Sequence, residues 1–464
     1  MGLVALTVTV AQDDDTPPLD NRIPVTLPGT NTPRPFVLRT NTPSGPTATP
    51  SWTASPLPTN TPTNTPSATP TNTLTPTPSD TPTHTPSPTP TLVGPVFYPD
   101  GVSPLTGLPY PNDEALTRRN LIIKISNFPP IVRPQSGVNA ADVVYEYEVE
   151  GGVTRFAAIF RNNTPDHVGP VRSARLTDLE LVDMYQALLG YSGASEPIQN
   201  LIMSADWSWQ AISPSRGDNC EEAGFCRFPR EGLPSEHTLY ANTELIWERA
   251  TARGINTGYR AHGFAFSDEP DGDGLPANDV FVEWYGLTDA RWQYDSATGR
   301  YLRFTETQPH IDAADGEQLW ADNVVIIEAL HQDRPDLFDP ASSTASHQIN
   351  LWGTGRAYLI RDGRAYQGFW ERRCIQSRNP TPTPTPEEGP SLRCDIDPGD
   401  ALRLYYGDNT PMMMKPGRTW VTVTRWLNYV SISEVAPDIN ATAAVLRLTP
   451  TNTPWPTPVP AAGS

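Results

Sequence analysis

Between Ala141 and Val149 the chain alternates, with Val143, Tyr145, Tyr147 and Val149 pointing one way and Asp142, Glu146, Glu148 and Glu150 the other. A period of two is incompatible with a helix and describes a strand with one apolar and one acidic face. Gly151-Gly152 then supplies the positive φ angles of a tight turn, and Val153 to Phe160 returns as a second strand. A two-residue loop would pair Glu150 with Val153. It would therefore set Glu148 opposite Arg155 and Tyr147 opposite Phe156, an ion pair on one face and an aromatic pair on the other.

This hairpin lies inside a longer stretch that resembles the signature of the YerB-like bacterial lipoprotein family. The matching pieces are Arg133-Pro134-Gln135-Ser136-Gly137, Ala141 to Glu146, Glu150 to Phe156, and Gly169-Pro170-Val171-Arg172-Ser173-Ala174-Arg175. The likeness continues at His237-Thr238-Leu239-Tyr240, Asn323-Val324-Val325 and Pro416-Gly417-Arg418-Thr419-Trp420, so it spans both halves of the family pattern, from about Pro104 to Thr424. The resemblance implies an envelope-exposed α+β protein with no assigned activity.

Composition narrows the classes. The net charge of the 464 residues is −19. Five acids and three Arg precede Phe97, a net of −2, which leaves −17 for the remainder. Such a chain is poorly suited to nucleic acid or anionic lipid through charge alone, so no nucleic-acid partner is expected. No run approaches the ~20 apolar residues of a membrane span. Four cysteines fall into two local pairs, neither a CxxC, which disfavours zinc and thioredoxin chemistry. Disulfides Cys220–Cys226 and Cys374–Cys394 are the favoured pairing among three connectivities, and they would need an oxidising compartment.

Residues 1–96 combine a short apolar, signal-like start with a Thr/Pro tract from Asn41 to Thr91, which reads as a stiff, solvated, disordered stalk, either O-glycosylated or an unmodified spacer. No cysteine precedes Cys220, so a lipid anchor is not expected. The motif returns at 380–386, between the second pair of cysteines, and in a disordered tail at 450–464. An N-terminal α+β domain is expected over 97–262. It holds a buried strand at Leu121 to Ser126, the hairpin, and a helix opening at the capping box Thr177-Asp178-Leu179-Glu180. That helix should carry an apolar stripe through Leu188 and Leu189 and end at Gly190. Further helices start at Ser195-Glu196-Pro197 and after Asn242. Residues 263–449 read as a β-rich domain, an antiparallel sheet or partial barrel, with a turn at Asp362-Gly363. The fold class is α+β: an N-terminal mixed sheet with packed helices, followed by a mainly antiparallel β domain.

Three candidate chemistries follow. Glu146, Glu148 and Glu150 lie at same-face positions about 7 Å apart, a spacing that can serve acid–base glycoside cleavage. The stronger reading is a charged face neutralised by Arg155, Arg172 and Arg175. Arg172 and Arg175, flanking Ser173 just before a helix, could grip a carboxylate or phosphate. His237 is a candidate base with no acid at a telling spacing, and Ser195 is better read as a helix cap than a nucleophile. The loop from Asp268 to Gly274 fails every EF-hand register, so no metal or cofactor is expected. The leading functional reading is a secreted or cell-surface, stalk-displayed module that binds an envelope ligand or protein partner without catalysis. Its binding candidates are Arg172, Ser173, Arg175, Glu148, Glu150, Arg155 and His237. The alternative is a cell-wall-active hydrolase using Glu148, Glu150 and His237.

Overall fold

The chain divides into two units, Met1–His84 and Thr85–Ser464. The computed structural model describes residues 93–258, 261–284, 287–372 and 401–435, all in the second unit. The Thr/Pro tracts, the signal-like start and the expected Cys374–Cys394 bridge lie outside the described residues.

The N-terminal segment contributes strands β1 (Leu121–Ser126), β2 (Val143–Glu148), β3 (Thr154–Phe160), β4 (Leu188–Gly190) and β5 (Ala211–Ile212). Its main helices are α1 (Leu176–Tyr185), α2 (Glu196–Ser204) and α3 (Thr243–Ala252). The C-terminal segment adds β6 (Asp279–Val282), β7 (Ala290–Asp295), β8 (Arg300–Thr305), β9 (Asn323–Glu328), β10 (Leu330–Asp339) and β11 (Thr344–Asn350). It continues with β12 (Gly353–Arg361), β13 (Arg364–Arg372), β14 (Arg403–Tyr405), β15 (Thr419–Thr424) and β16 (Val430–Ser433).

The fold is α+β, with a mixed N-terminal sheet and packed helices followed by a mainly antiparallel β part. One sheet runs β14-β13-β12-β9-β15-β2-β3-β1-β4-β5, with Leu275–Pro276 pairing on β13. Residues from both sides of position 262 therefore share it. The join is β15 from the C-terminal segment, which lies parallel to β2 on one side and to β9 on the other. Both faces of the sheet are covered, which is why its central strands bury every residue. Tyr145, Tyr147, Ile159, Val325 and Val421 pack against Leu181 and Tyr185 of α1 and Ile198 of α2. On the other face Val144, Phe156, Val324 and Trp420 meet Trp247 of α3 and the second sheet, which runs β8-β7-β6-β16 and is antiparallel throughout.

The hairpin departs from the expected register by one residue. Tyr147 pairs with Arg155, Glu148 with Thr154, and Glu146 with Phe156. The loop holds three residues, because Val149 N bonds Val153 O at 2.8 Å and leaves Glu150-Gly151-Gly152 to make the turn. Both glycines take positive φ, 83° and 76°, as the sequence required, but the turn they serve is longer. Glu148 and Arg155 consequently project from opposite faces, so the expected pair between them does not form.

The helix at Leu176 also ends sooner than its apolar stripe suggested. Gln186 turns to a φ of 47°, and Leu188–Gly190 becomes a strand parallel to β1. Leu188 and Leu189 bury into opposite layers, an arrangement open to a strand and closed to one helical stripe. Gly190 is needed for close packing there, since a Cβ would fall 2.4 Å from Ile123 Cδ1. Cys220 and Cys226 are bonded, joining a short helical turn to the strand Phe225–Arg227.

Candidate functional site

Residues 171–175 form an extended ledge between β3 and α1. Val171 N donates to Leu239 O at 2.7 Å, Arg172 N to Lys124 O at 2.9 Å, and Ala174 N to Gly193 O at 2.9 Å, so three separate segments hold its backbone. The ledge ends where Asp178 Oδ2 accepts from Arg175 N at 2.7 Å and closes the first turn of α1. Asp178, not Glu180, thus caps the helix, through the backbone of Arg175 at the cap position, and the arginine side chain, a donor only, leaves the other half of a box unmade. Beside the ledge opens a cleft of about 510 Å³, within the usual range for small-molecule sites. Its walls include Glu150, Ser173, Arg175, Ser195, Glu196 and, from the β10–β11 hairpin, Asp339, Ser342, Thr344 and Ser346.

The lining is rich in hydroxyls and carboxylates, with Glu150, Glu196 and Asp339 beside Arg175, while Arg155 and Arg172 adjoin it from the ledge. Arg175 pairs with Glu150, both partly exposed. Burial alone would raise the Glu150 carboxyl, but the Arg175 charge and hydrogen bond hold it below its ordinary value. Arg155 is half-buried and donates to Ser173 O at 3.0 Å. Burial, with Arg175 and Arg172 nearby, lowers its guanidinium to about 9. Lys124, in the middle of the otherwise apolar β1, is fully buried against Asp178 at 3.2 Å and the Tyr147 hydroxyl, which bonds both. Its ammonium is pulled down to about 7 by burial, which Asp178 only partly offsets.

Of the seven expected binding residues, Glu150, Ser173 and Arg175 line the cleft, and Arg155 supports Ser173 from within. Arg172 and His237 adjoin Arg155 without being among the lining residues. Burial first, then the charges of Arg172 and Arg155, depress the His237 imidazole. Arg172 donates to Glu236 O at 2.9 Å, while Arg172 Nε and His237 Nδ1 are buried with no hydrogen-bond partner. Glu148 goes elsewhere. It points to the other face and accepts two hydrogen bonds from Arg425, both 2.8 Å. With Glu148 held by Arg425 and Glu150 by Arg175, the carboxylate pair of the hydrolase reading is occupied on both sides. Sequence reasoning missed Lys124, Tyr147, Asp178 and Arg425 as neighbours of this region. A lysine inside Leu-Ile-Ile-Lys-Ile-Ser was the one available signal, because a buried ammonium needs a partner.

Residues 105–256 match the N-terminal domain, and residues 280–393 the C-terminal domain, of the family described as protein of unknown function (DUF3048). The chain is similar to YerB, a candidate lipoprotein of Bacillus subtilis (strain 168), with 25% identity over 339 residues, covering 72% of this chain and 88% of that protein. It is also similar in fold to the crystal structure of the YerB protein from Bacillus subtilis. That match has a TM-score of 0.55 and 22% identity, and covers 72% of this chain and 99% of the other. Two adjoining domain models in the expected order, together with these relatives, show that the chain belongs to the YerB-like family of proteins of unknown function.

Proposed function

We infer that the protein is a non-catalytic binding module of the cell envelope, holding a small polar ligand through an anionic group in the cleft beside residues 171–175. One observation carries the reading: at Arg155 the charges of Arg175 and Arg172 outweigh those of the nearby acids Glu150 and Asp178, and the buried Arg172 Nε lacks an acceptor. An unbalanced group of guanidinium donors lowers its energy by taking an anion. The hydroxyls of Ser173, Ser195, Ser342 and Thr344 would bond the remainder of the ligand. The pairing of both Glu148 and Glu150 speaks against the hydrolase alternative. Export is supported by the Cys220–Cys226 bond and by the name of the B. subtilis relative. Among the described residues no helix is long and apolar enough to cross a membrane.

The experiment is a calorimetric and thermal-shift screen of inorganic phosphate, dicarboxylates and acidic glycans against the wild-type chain and Arg175→Gln. A ligand that raises the melting temperature of the wild type and binds Arg175→Gln at least tenfold more weakly supports the reading. Equal binding by both, or no response to any anion, overturns it.

A further inference from the structure

The base of the β10–β11 hairpin brings together three potential ligands that no expectation from the sequence united. His331 lies on β10 and His347 on β11, and Glu148 reaches them from the end of β2. His331 Nδ1 is 3.1 Å from His347 Nε2 and 3.7 Å from a Glu148 oxygen. One donor atom from each of the three lies within 4.8 Å of the other two. All three side chains are nearly closed to solvent, at 1%, 4% and 6% exposure for His331, His347 and Glu148.

The outer partners have the pattern of a ligated histidine. His347 Nδ1 sits 3.0 Å from the Asp333 carboxylate, which accepts its proton and leaves Nε2 with a lone pair directed at His331. His331 Nε2, the nitrogen that makes neither of these approaches, is buried without a hydrogen-bond partner, so no outside contact fixes the tautomer of that ring and Nδ1 can present a lone pair to a cation. Glu148 takes its two hydrogen bonds from Arg425, and a carboxylate with about four lone-pair positions can hold a cation as well.

We propose that Glu148, His331 and His347 form a divalent transition-metal site, with zinc the best fit and Asp333 orienting His347. Two imidazoles and one carboxylate are an established donor set for zinc, with bonds of about 2.0–2.2 Å. A tetrahedron with such bonds has edges of roughly 3.4 Å. The spacings of 3.1 and 3.7 Å bracket that edge, and the third separation is no more than 4.8 Å. Three protein ligands leave a fourth position for water or a bound group. The metal would also tie the hairpin to the end of β2, because His347 N already donates to Glu150 Oε1 at 3.3 Å. The site stands independently of anion binding in the cleft.

The test titrates Zn²⁺ and Co²⁺ into the full chain after dialysis against a chelator, following heat and the visible spectrum of Co²⁺. One equivalent should bind, and Co²⁺ should give the intense visible bands of a four-coordinate ion. His331→Ala and His347→Ala should each lose at least 100-fold in affinity, and Asp333→Asn roughly 10- to 100-fold. His167→Ala, whose ring packs on Phe228 and Tyr240 and is not one of the three ligands, should bind as the wild type does, and circular dichroism checks that each variant is folded. Should an alanine variant unfold, Glu148→Gln and the wild-type Co²⁺ spectrum decide. Absence of stoichiometric binding by the wild type, or unchanged affinity in the folded variants, overturns the proposal and leaves a plain hydrogen bond between two imidazoles.

Discussion

Glu146 and Arg303, 157 residues apart in sequence, form a two-pronged ion pair at 2.8 and 2.9 Å with both side chains fully excluded from solvent. Glu146 also accepts from Thr154 Oγ1 at 2.9 Å, Trp420 Nε1 at 3.1 Å and Asn127 Nδ2 at 3.4 Å. The Arg303 guanidinium lies 5.4 Å from the Phe156 ring centre and 5.2 Å from that of Trp420. A strand of the N-terminal segment is thereby joined to two strands of the C-terminal segment through one charge.

Removing one side of this pair strands the other in an apolar layer. Glu146→Gln or Arg303→Met alone should cost about 3–5 kcal/mol, and the double variant less than the sum. Urea denaturation of all four proteins measures it. Additive costs would show that the two residues do not act as a unit.

The hairpin register makes a prediction about Glu148. In double-mutant cycles Glu148 should couple to Arg425 by about 0.5–3 kcal/mol, and to Arg155 by no more than about 0.5 kcal/mol. Coupling to Arg155 in place of Arg425 would mean that the hairpin has a two-residue loop after all.

Lys124 should make stability depend on pH. Burial lowers its pKa in the folded chain to about 7 from 10.5 in the unfolded one. Across that window the unfolded chain carries a proton that the folded chain lacks, so this group's contribution to stability rises with pH and is at its lowest, and constant, below 7. The gap in unfolding free energy between wild type and Lys124→Met should therefore shift in favour of wild type between pH 7 and 9.5. A gap that does not change over this range would show the ammonium to be unperturbed.

Cys220–Cys226 closes a short loop, so replacing both with Ser should cost about 2 kcal/mol. Peptide mapping without reduction should recover residues 220 and 226 in one linked fragment. Free thiols at these positions would contradict the structure and weaken the argument for export.

Local signals were read well wherever a short-range pattern was sufficient. The β2–β3 hairpin, the turn at Asp362-Gly363 and the helix starts at Ser195 and Asn242 follow from alternation, glycine and cap-residue preferences within a few residues, although only Asn242 makes a side-chain cap bond. The β10–β11 hairpin was missed because it is largely polar and contains Pro335, so neither periodicity nor composition marks it as a strand. It nevertheless supplies one wall of the cleft and both histidines of the proposed metal site.

The sequence by itself determined the family, the α+β class, the two faces of β2 and the basic ledge at 172–175, since each rests on residues that are neighbours in the chain. Only the tertiary structure decided which charges meet. An acidic strand face can be neutralised by any base brought near it. The arginines that do so for Glu146 and Glu148 are Arg303 on β8 and Arg425 in the bend after β15, neither of them near β2 in sequence. A one-residue difference in loop length was enough to take Arg155 out of that set, because side chains alternate between faces and a slip of one reverses them all.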